Sequence, residues 1–214
     1  MISNYDLIIF DWDGTLVDSI DWIVECIRDV AEEQKLDKPD IQSCKDIIGL
    51  SLTEAMLQLY PTITEHQKTE MVKNYRHLYL AKPSTPSDLF RETHAVLNRL
   101  KKADKTLAIS TGKGKAGLDR GLDGTGLRSF FSECRCGDTM SSKPSPHMLF
   151  DIMQATNIAP DKSIMIGDST LDLQMANNAG IDSIGVATGA HSSEILEKHA
   201  TLGCINNLTE LFKG

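Results

Sequence analysis

The amino-acid sequence predicts an α/β fold: a doubly wound, Rossmann-like parallel sheet with a small all-helical domain inserted after its first strand. Three observations predict it. Several short apolar runs end abruptly in small or acidic residues, helical patterns separate most of these runs, and one early stretch shows helix signals without a convincing strand. Buried strands that alternate with helices indicate βαβ units, which build a parallel sheet. The length of 214 residues suits one large domain that carries a smaller insert.

Four apolar runs are predicted to form strands, because each is short, continuous and bounded by small or acidic residues. The predicted strands are 6–10, 106–109, 163–166 and 183–187. Ligands of such sheets bind beyond the carboxyl ends of the strands. The polar residues that directly follow these runs are therefore the candidates for a functional site.

Three helices of the predicted core show recognisable signals. One follows Pro86, another begins near Pro146, and the third covers 170–179 and ends at Gly180, a residue type favoured just beyond a helix. The predicted buried faces of the first two are Phe90, Val96, Leu97 and Leu100, and Met148, Leu149, Ile152 and Met153. We expect these side chains to pack in the core.

The predicted helical domain covers 18–86, and 1–17 with 87–214 form the α/β core. A proline-rich linker at 82–87 closes the insert, as is usual at a domain boundary. Because the insert begins just after the first acidic cluster, we expect it to cover the site like a lid. Two capping-box spacings precede its helical patterns, Ser51-x-x-Glu54 and Thr64-x-x-Gln67.

Charge and composition narrow the class of partner. The formal net charge is −8, which works against binding to nucleic acid or to an anionic membrane, since both need clustered Lys and Arg. No apolar run is long enough to span a bilayer, and the N-terminus lacks the features of a signal peptide. Five scattered cysteines favour a reducing compartment over a disulfide framework. We expect a cytoplasmic monomer or homodimer.

The first polar cluster contains Asp11 and Asp13, which follow the first strand, with Gly14 and Thr15 continuing the turn. Two aspartates in a loop are often merely solvated. The glycine, however, permits an unusual backbone turn, and a loop bent in this way can direct successive N–H groups at an anion. The context therefore favours a functional role.

The second cluster follows the third predicted strand and contains Asp168 and Asp172, spaced to meet on one side of a first helical turn. Helix capping by Asp168 or Ser169 is the simpler interpretation of this cluster alone. When both clusters lie on neighbouring strands, however, four carboxylates converge, and they repel one another unless a cation offsets them. Oxygen ligands of this kind suit Mg²⁺.

Groups that could hold a phosphate follow the second strand and precede the Pro146 helix. Thr111 and Gly112 offer a hydroxyl and a backbone N–H at a strand-to-helix turn, and Lys143 lies in a loop stiffened by prolines. A single lysine is usually a solvated surface residue, and Lys113 has no comparable support.

These residues together resemble the four ordered motifs of the haloacid dehalogenase-like hydrolase superfamily. The motifs are Asp11-x-Asp13-Gly14-Thr15, Thr111, Lys143-Pro144 and Gly167-Asp168-x-x-x-Asp172. The resemblance covers nearly the whole chain, and an early helical insert matches the class of this superfamily that carries a cap after the first motif.

The resemblance implies a Mg²⁺-dependent phosphatase that acts on a small phosphate monoester. Asp11 would attack phosphorus to form an aspartyl-phosphate, while Asp13 would protonate the leaving oxygen and then activate water. Asp13 favours ester cleavage, since dehalogenation needs no such acid. The implied Mg²⁺ ligands are Asp11, the Asp13 carbonyl oxygen and Asp168, supported by Asp172, and the implied phosphoryl ligands are Thr111, the Gly112 amide and Lys143. Gly14 and Thr15 would support the loop that carries Asp11 and Asp13.

Parts of the insert, around 48–54 and at Tyr75-Arg76-x-x-Tyr79, are similar to phosphoglycolate phosphatase-like members, as is Gly189-Ala190-His191. They imply a phosphoglycolate-like or sugar phosphate substrate, with Arg76 as a candidate for a substrate carboxylate, although the tyrosines also fit an amphipathic core. The chain departs from relatives in two places. It lacks their Pro-x-Gly turn at 88–92, and it has Lys105 where a glycine commonly precedes the second strand.

Two alternatives remain open at this point. A mutase of the β-phosphoglucomutase type would use the same nucleophile, but such relatives carry a cap histidine about twelve residues past it, where this chain has Ile23. The other is a regulatory protein that binds a phosphate ligand without catalysis.

Overall fold

The computed structural model describes residues 2–213, which contain a six-stranded, fully parallel sheet. Its strands are β1 (Leu7–Phe10), β2 (Thr106–Thr111), β3 (Glu133–Cys136), β4 (Ser163–Gly167), β5 (Asp182–Val186) and β6 (Cys204–Ile205). They lie in the order β3-β2-β1-β4-β5-β6. The chain therefore runs outward from the central β1 on one side and then on the other. This reversal makes the carboxyl end of β1 the expected place for a ligand.

The bounds of the α-helices are α1 (Ile20–Glu33), α2 (Ile41–Asp46), α3 (Leu52–Leu59), α4 (Glu65–Ala81), α5 (Thr93–Lys102), α6 (Lys115–Thr125), α7 (His147–Thr156), α8 (Thr170–Ala179) and α9 (Ser193–Leu196). The faces of the sheet are covered by helices from the part of the chain after α4. Side chains of β1 alternate between two hydrophobic clusters. Ile8 and Phe10 pack with α5 and α6, whereas Leu7 and Ile9 pack with α7 and α8. The predicted doubly wound α/β class is confirmed.

All four predicted strands are present, with bounds that differ from the predicted ones by at most two residues. The sequence analysis did not predict β3 and β6. The sequence of β3 is Glu-Cys-Arg-Cys, and its Arg135 pairs with Glu133 and Asp151, so it carries no apolar run. Both strands lie at the edges of the sheet, where one side is open and an apolar pattern is not needed.

The prediction that Phe90 belongs to the helix after Pro86 is wrong. This helix, α5, begins at Thr93, and Phe90 is only partly buried in the segment before it. The N–H of Phe90 and the hydroxyl of Thr93 both donate to the carbonyl oxygen of Leu16, at 3.2 and 3.0 Å, and these bonds hold the segment against the first loop. The remaining predicted positions on α5 and α7 are buried, and α8 ends at Gly180 with left-handed backbone, as predicted.

Residues 18–86 contain α1 to α4, and their buried side chains, among them Ile27, Met56 and Met71, form a third hydrophobic cluster. We refer to these residues as the helical segment. The chain enters and leaves it side by side, since Val17 and Leu89 form an antiparallel bridge. No helix within residues 2–213 is long and apolar enough to cross a membrane.

One of the two predicted capping boxes of the helical segment is complete. Thr64 and Gln67 cap α4 reciprocally. At α3, Ser51 accepts a hydrogen bond from the Glu54 N–H, but the reciprocal bond is absent because the Ser51 N–H donates to Ser142 Oγ at 2.7 Å. Ser142 belongs to the loop after β3, so this bond ties the helical segment to the part of the chain that contains the sheet.

Candidate active site

The predicted site residues meet at the carboxyl edge of the three central strands. Asp11 follows β1, Thr111 ends β2 and Asp168 follows β4, and the register pairs the last residue of β1 with Ile109 and Ile166. Each of these three polar residues is at most 2% exposed. The sheet therefore brings together side chains that are far apart in the sequence and removes them from bulk water.

Three buried aspartates, Asp11, Asp168 and Asp172, place carboxylate oxygens within 4.8 Å of one another. Burial raises the pKa of Asp11 to about 7, with Lys143 acting against the rise and Asp172 adding to it. Burial and the charge of Asp11 raise the pKa of Asp168 well above its usual range. Carboxylates so close together favour a bound cation that would offset their repulsion.

Lys143 lies inside this cluster and is 1% exposed. Its ammonium is 2.8 Å from Asp11 Oδ1 and 2.6 Å from Asp172 Oδ1. Burial alone would lower the pKa of Lys143, but the two carboxylates outweigh burial and raise it, so the lysine stays charged. One lysine does not offset three carboxylates, so all three are ionised together only when a further cation binds.

The donor set fits a hard divalent cation. Oδ1 of Asp11 is buried, and the ammonium of Lys143 lies 2.8 Å from it. The three aspartates of the cluster offer carboxylate oxygens, and oxygen ligands are those that Mg²⁺ prefers. Asp11, Asp168 and Asp172 are thus the residues that could hold such an ion.

Asp168 is fixed by bonds to its two carboxylate oxygens. The Thr15 hydroxyl donates to Oδ1 at 2.7 Å, and the Ala190 N–H donates to Oδ2 at 2.8 Å. Gly14 approaches so closely that a Cβ there would lie 2.3 Å from Oδ2, and its φ of +79° is one that favours glycine. These contacts account for the presence of a glycine at position 14 and of a threonine at position 15. The bond from Ala190 also places the Gly189-Ala190-His191 loop behind Asp168.

Helix capping accounts for part of the second cluster. Ser169 and Asp172 form a complete capping box at the start of α8, as the simpler interpretation predicted, although the residue that caps is Ser169 and not Asp168. One oxygen of the Asp172 carboxylate accepts from Ser169, and the other faces Lys143. Both carboxylate oxygens of Asp172 therefore have protein partners, which suits a residue that supports the proposed metal site.

Asp13 points away from this cluster and forms an ion pair that the sequence analysis missed. Its Oδ1 accepts from the Ser19 hydroxyl at 2.7 Å, and Lys113 Nζ lies 3.0 and 2.8 Å from its two carboxylate oxygens. The ammonium of Lys113 also lies 4.0 Å from the centre of the Tyr79 ring. The signal available in the sequence was the position of Lys113, two residues after the end of β2.

A cavity of about 460 Å³ lies between this edge of the sheet and the helical segment. Asp11, Asp13, Thr111, Gly112 and Lys113 line it, whereas Lys143, Asp168 and Asp172 do not. Asp11 is thus the residue shared by the buried acidic cluster and the open cavity. The facing wall comes from the helical segment and includes the three residues Ile23, Tyr75 and Arg76.

The two turn residues at the end of β2 face this cavity. Thr111 Oγ1 accepts a hydrogen bond from the Lys113 N–H at 3.1 Å, so its hydroxyl hydrogen can still be donated. Gly112 lies against the backbone of the helical segment, since a Cβ there would be 2.2 Å from the Gly49 carbonyl oxygen. The close approach requires glycine.

The sequence of this chain matches a known protein family. The sequence model of the haloacid dehalogenase-like hydrolase family matches residues 8–186. The chain belongs to this family. The match covers both acidic clusters, so the resemblance predicted from the four motifs is confirmed.

Named relatives of this haloacid dehalogenase-like hydrolase are phosphatases. The protein named probable phosphatase IndB, from Dickeya dadantii, is 32% identical over 196 residues, covering 89% of this chain and 85% of the relative. A phosphoglycolate phosphatase from Colwellia psychrerythraea is 29% identical over 222 residues, covering 98% and 96%. The chain is an enzyme of the phosphohydrolase class.

The fold is shared more widely than the reaction. A β-phosphoglucomutase from Clostridium difficile superposes with a TM-score of 0.85 at 21% identity, covering 98% of this chain and 94% of the mutase. Since this likeness concerns the fold alone, hydrolysis and phosphoryl transfer between sugar hydroxyls have to be separated by the residues that line the cavity.

Proposed function

We propose that this protein is a Mg²⁺-dependent phosphatase that hydrolyses small-molecule phosphate monoesters through an aspartyl-phosphate on Asp11. The observation that carries the proposal is the position of Asp11, which belongs both to the buried acidic cluster and to the lining of the cavity. A phosphoryl group that enters the cavity meets this carboxylate.

Charge neutralisation is the first requirement of such a reaction, because a carboxylate repels a phosphate dianion. Asp11, the Asp13 carbonyl oxygen and Asp168 would hold Mg²⁺, with Asp172 in support, and the bound ion supplies positive charge to the transferring group. Lys143 stays protonated beside Asp11 and adds to this charge. The Thr111 hydroxyl and the Gly112 amide would bind phosphoryl oxygens at the end of β2.

Asp13 would serve both chemical steps. In the first, Asp11 forms a bond to phosphorus as the ester P–O bond breaks, and the departing alcohol takes the proton of Asp13. In the second, water attacks phosphorus, Asp13 takes a proton from that water, and the bond between Asp11 and phosphorus breaks. The contacts from Ser19 and Lys113 hold Asp13 at the cavity wall as a carboxylate, the form that takes the proton from water in the second step. The proton gained in that step would be the one that Asp13 gives to the alcohol in the next cycle.

The helical segment, 18–86, would act as a cap that selects the substrate, with 1–17 and 87–214 as the catalytic core. Its side chains form the cavity wall that faces Asp11. Closure of such a segment excludes water from the reacting groups.

Hydrolysis is favoured over the mutase alternative by Ile23, which lines the cavity. An isoleucine can neither accept a proton from a second sugar hydroxyl nor orient it. Conversion of glucose 1-phosphate to glucose 6-phosphate by this protein would instead support the mutase alternative.

The proposal is tested by phosphate release from a panel of small phosphate esters. Wild type with Mg²⁺ should release phosphate, whereas wild type with chelator and Asp11→Asn should not. Asp29→Asn, a change of the same kind at an exposed position on α1, is the matched control and should behave as wild type. If metal-loaded wild type is no faster than Asp11→Asn, the phosphatase proposal fails and a binding role without catalysis replaces it.

A further inference from the structure

We propose that the site selects phosphate monoesters whose alcohol part is bulky, uncharged and mostly apolar, and that a two-carbon acid such as phosphoglycolate is a poor substrate. The inference rests on the proposed function and narrows it. It is carried by the size of the cavity, the side chains of its far wall and the charges around it.

The size of the cavity is the first argument. Its volume of about 460 Å³ falls within the range of sites that enclose ligands much larger than a two-carbon acid. Because one water occupies about 30 Å³, the same space would hold roughly fifteen waters. Phosphoglycolate would leave most of the cavity hydrated, whereas a larger alcohol would displace this water.

The far wall is the second argument. Most of the residues that the helical segment contributes to the lining of the cavity are apolar or aromatic, among them Ile23, Ile27, Ile47, Ile48, Leu50 and Tyr75, whereas Ser51, Thr53 and Arg76 are polar. Such a wall gains free energy by burying apolar surface of a ligand and offers few partners to a carboxylate. Tyr75 adds an aromatic ring, stacked on Tyr79 with 5.8 Å between ring centres, against which a planar group can pack.

Charge is the third argument. The residues that line the cavity include two cations, Lys113 and Arg76. Lys113 is already paired with both oxygens of Asp13, and Arg76 is exposed on α4. Asp138 also lines the cavity, and it adds negative charge there. A substrate with a second anionic group next to its phosphate would therefore meet at most one cation that is not already paired, Arg76, with Asp138 acting against it.

Three esters with alkyl leaving groups separate these effects: 2-phenylethyl phosphate, ethyl phosphate and phosphoglycolate. We expect kcat/KM for 2-phenylethyl phosphate to exceed that for ethyl phosphate by at least about tenfold, since small apolar additions in a matching pocket give such factors. Phosphoglycolate should not exceed ethyl phosphate. If phosphoglycolate equals or surpasses 2-phenylethyl phosphate, the inference is overturned while the phosphatase proposal stands.

A variant that narrows the cavity gives an independent test. Thr53 lines the cavity but is exposed, so Thr53→Trp adds bulk at its mouth without disturbing the core. The preference for 2-phenylethyl over ethyl phosphate should fall about tenfold. Gln58→Trp, at an exposed position of α3 outside the cavity, is the control and should keep the preference. An unchanged preference in folded Thr53→Trp contradicts the inference, whereas absence of hydrolysis of every ester by wild type contradicts the proposed function.

Discussion

The ammonium of Lys113 lies 2.8 and 3.0 Å from the two carboxylate oxygens of Asp13, and both side chains are only 9% exposed. Lys113 comes from the loop after β2 and Asp13 from the loop after β1, and Tyr79 of the helical segment covers the ammonium. The proposed acid and base is thus held by groups from the core and from the helical segment together. Its geometry depends on how the two pack.

Lys113→Met should weaken both stability and activity. Removal of one partner leaves a buried carboxylate uncompensated, which costs about 3 kcal/mol of the free energy of unfolding. Misplacement of a general acid and base lowers kcat/KM by about a hundredfold, since groups of this kind contribute at least that much. Urea unfolding and phosphate release from ethyl phosphate measure the two effects. Lys115→Met, two residues away at an exposed lysine, should change neither appreciably.

The dependence on leaving group shows whether Lys113 acts through Asp13. A nitrophenolate departs without a proton, so 4-nitrophenyl phosphate should lose much less activity in Lys113→Met than ethyl phosphate does. Equal losses for the two esters would mean that Lys113 serves the fold or phosphate binding and does not position the acid.

Magnesium should stabilise the protein through the acidic cluster. An ion that binds the folded state alone adds about 2.7 kcal/mol to the free energy of unfolding at one hundred times its dissociation constant. The Tm should therefore rise as Mg²⁺ is added. Asp168→Asn should lose most of this rise because it removes one of three neighbouring carboxylates, whereas the exposed Asp161→Asn should keep it. The same rise in Asp168→Asn would place the ion elsewhere.

The sequence was most informative where burial is complete. The strands β1, β2, β4 and β5 are covered on both faces, so their apolar runs could be recognised, and their ends located Asp11, Thr111 and Asp168. The edge strands β3 and β6 carry no such pattern, because partial exposure tolerates polar residues there.

Contacts between loops could not be predicted from the sequence. A single lysine after a strand has the same pattern whether it is solvated or paired, and only the packed sheet brings Lys113 to Asp13, 100 residues earlier. The contact between Ala190 and Asp168 likewise arises when β5 returns beside β4. Local propensity carries no information on either pair, since tertiary packing decides them.

Tyr5 should make stability depend on pH in the alkaline range. Burial raises its pKa to about 12, and its hydroxyl donates to Asp182 at 2.6 Å. Since the pKa of an unfolded tyrosine is about 10, the unfolded chain binds fewer protons than the folded one between these values. The stabilisation is complete below pH 10 and is lost as the pH rises towards 12. Tyr5→Phe should flatten this part of the pH profile of urea unfolding, and an identical slope in both proteins would assign it to other groups.

Gly14 and Gly126 provide a matched pair that separates backbone strain from a collision at the site. Their φ values are +79° and +73°, but a Cβ at Gly14 would lie 2.3 Å from Asp168 Oδ2, whereas a Cβ at Gly126 would meet nothing within 4 Å. Alanine at either position should cost about 1–2 kcal/mol of stability through the left-handed backbone. Only Gly14→Ala should also displace Asp168, and so abolish the Mg²⁺-dependent rise in Tm and most phosphate release. If Gly14→Ala retains both, the Gly14 turn does not shape the proposed metal site, and Asp168 must tolerate a displacement that its bonds to Thr15 and Ala190 are expected to resist.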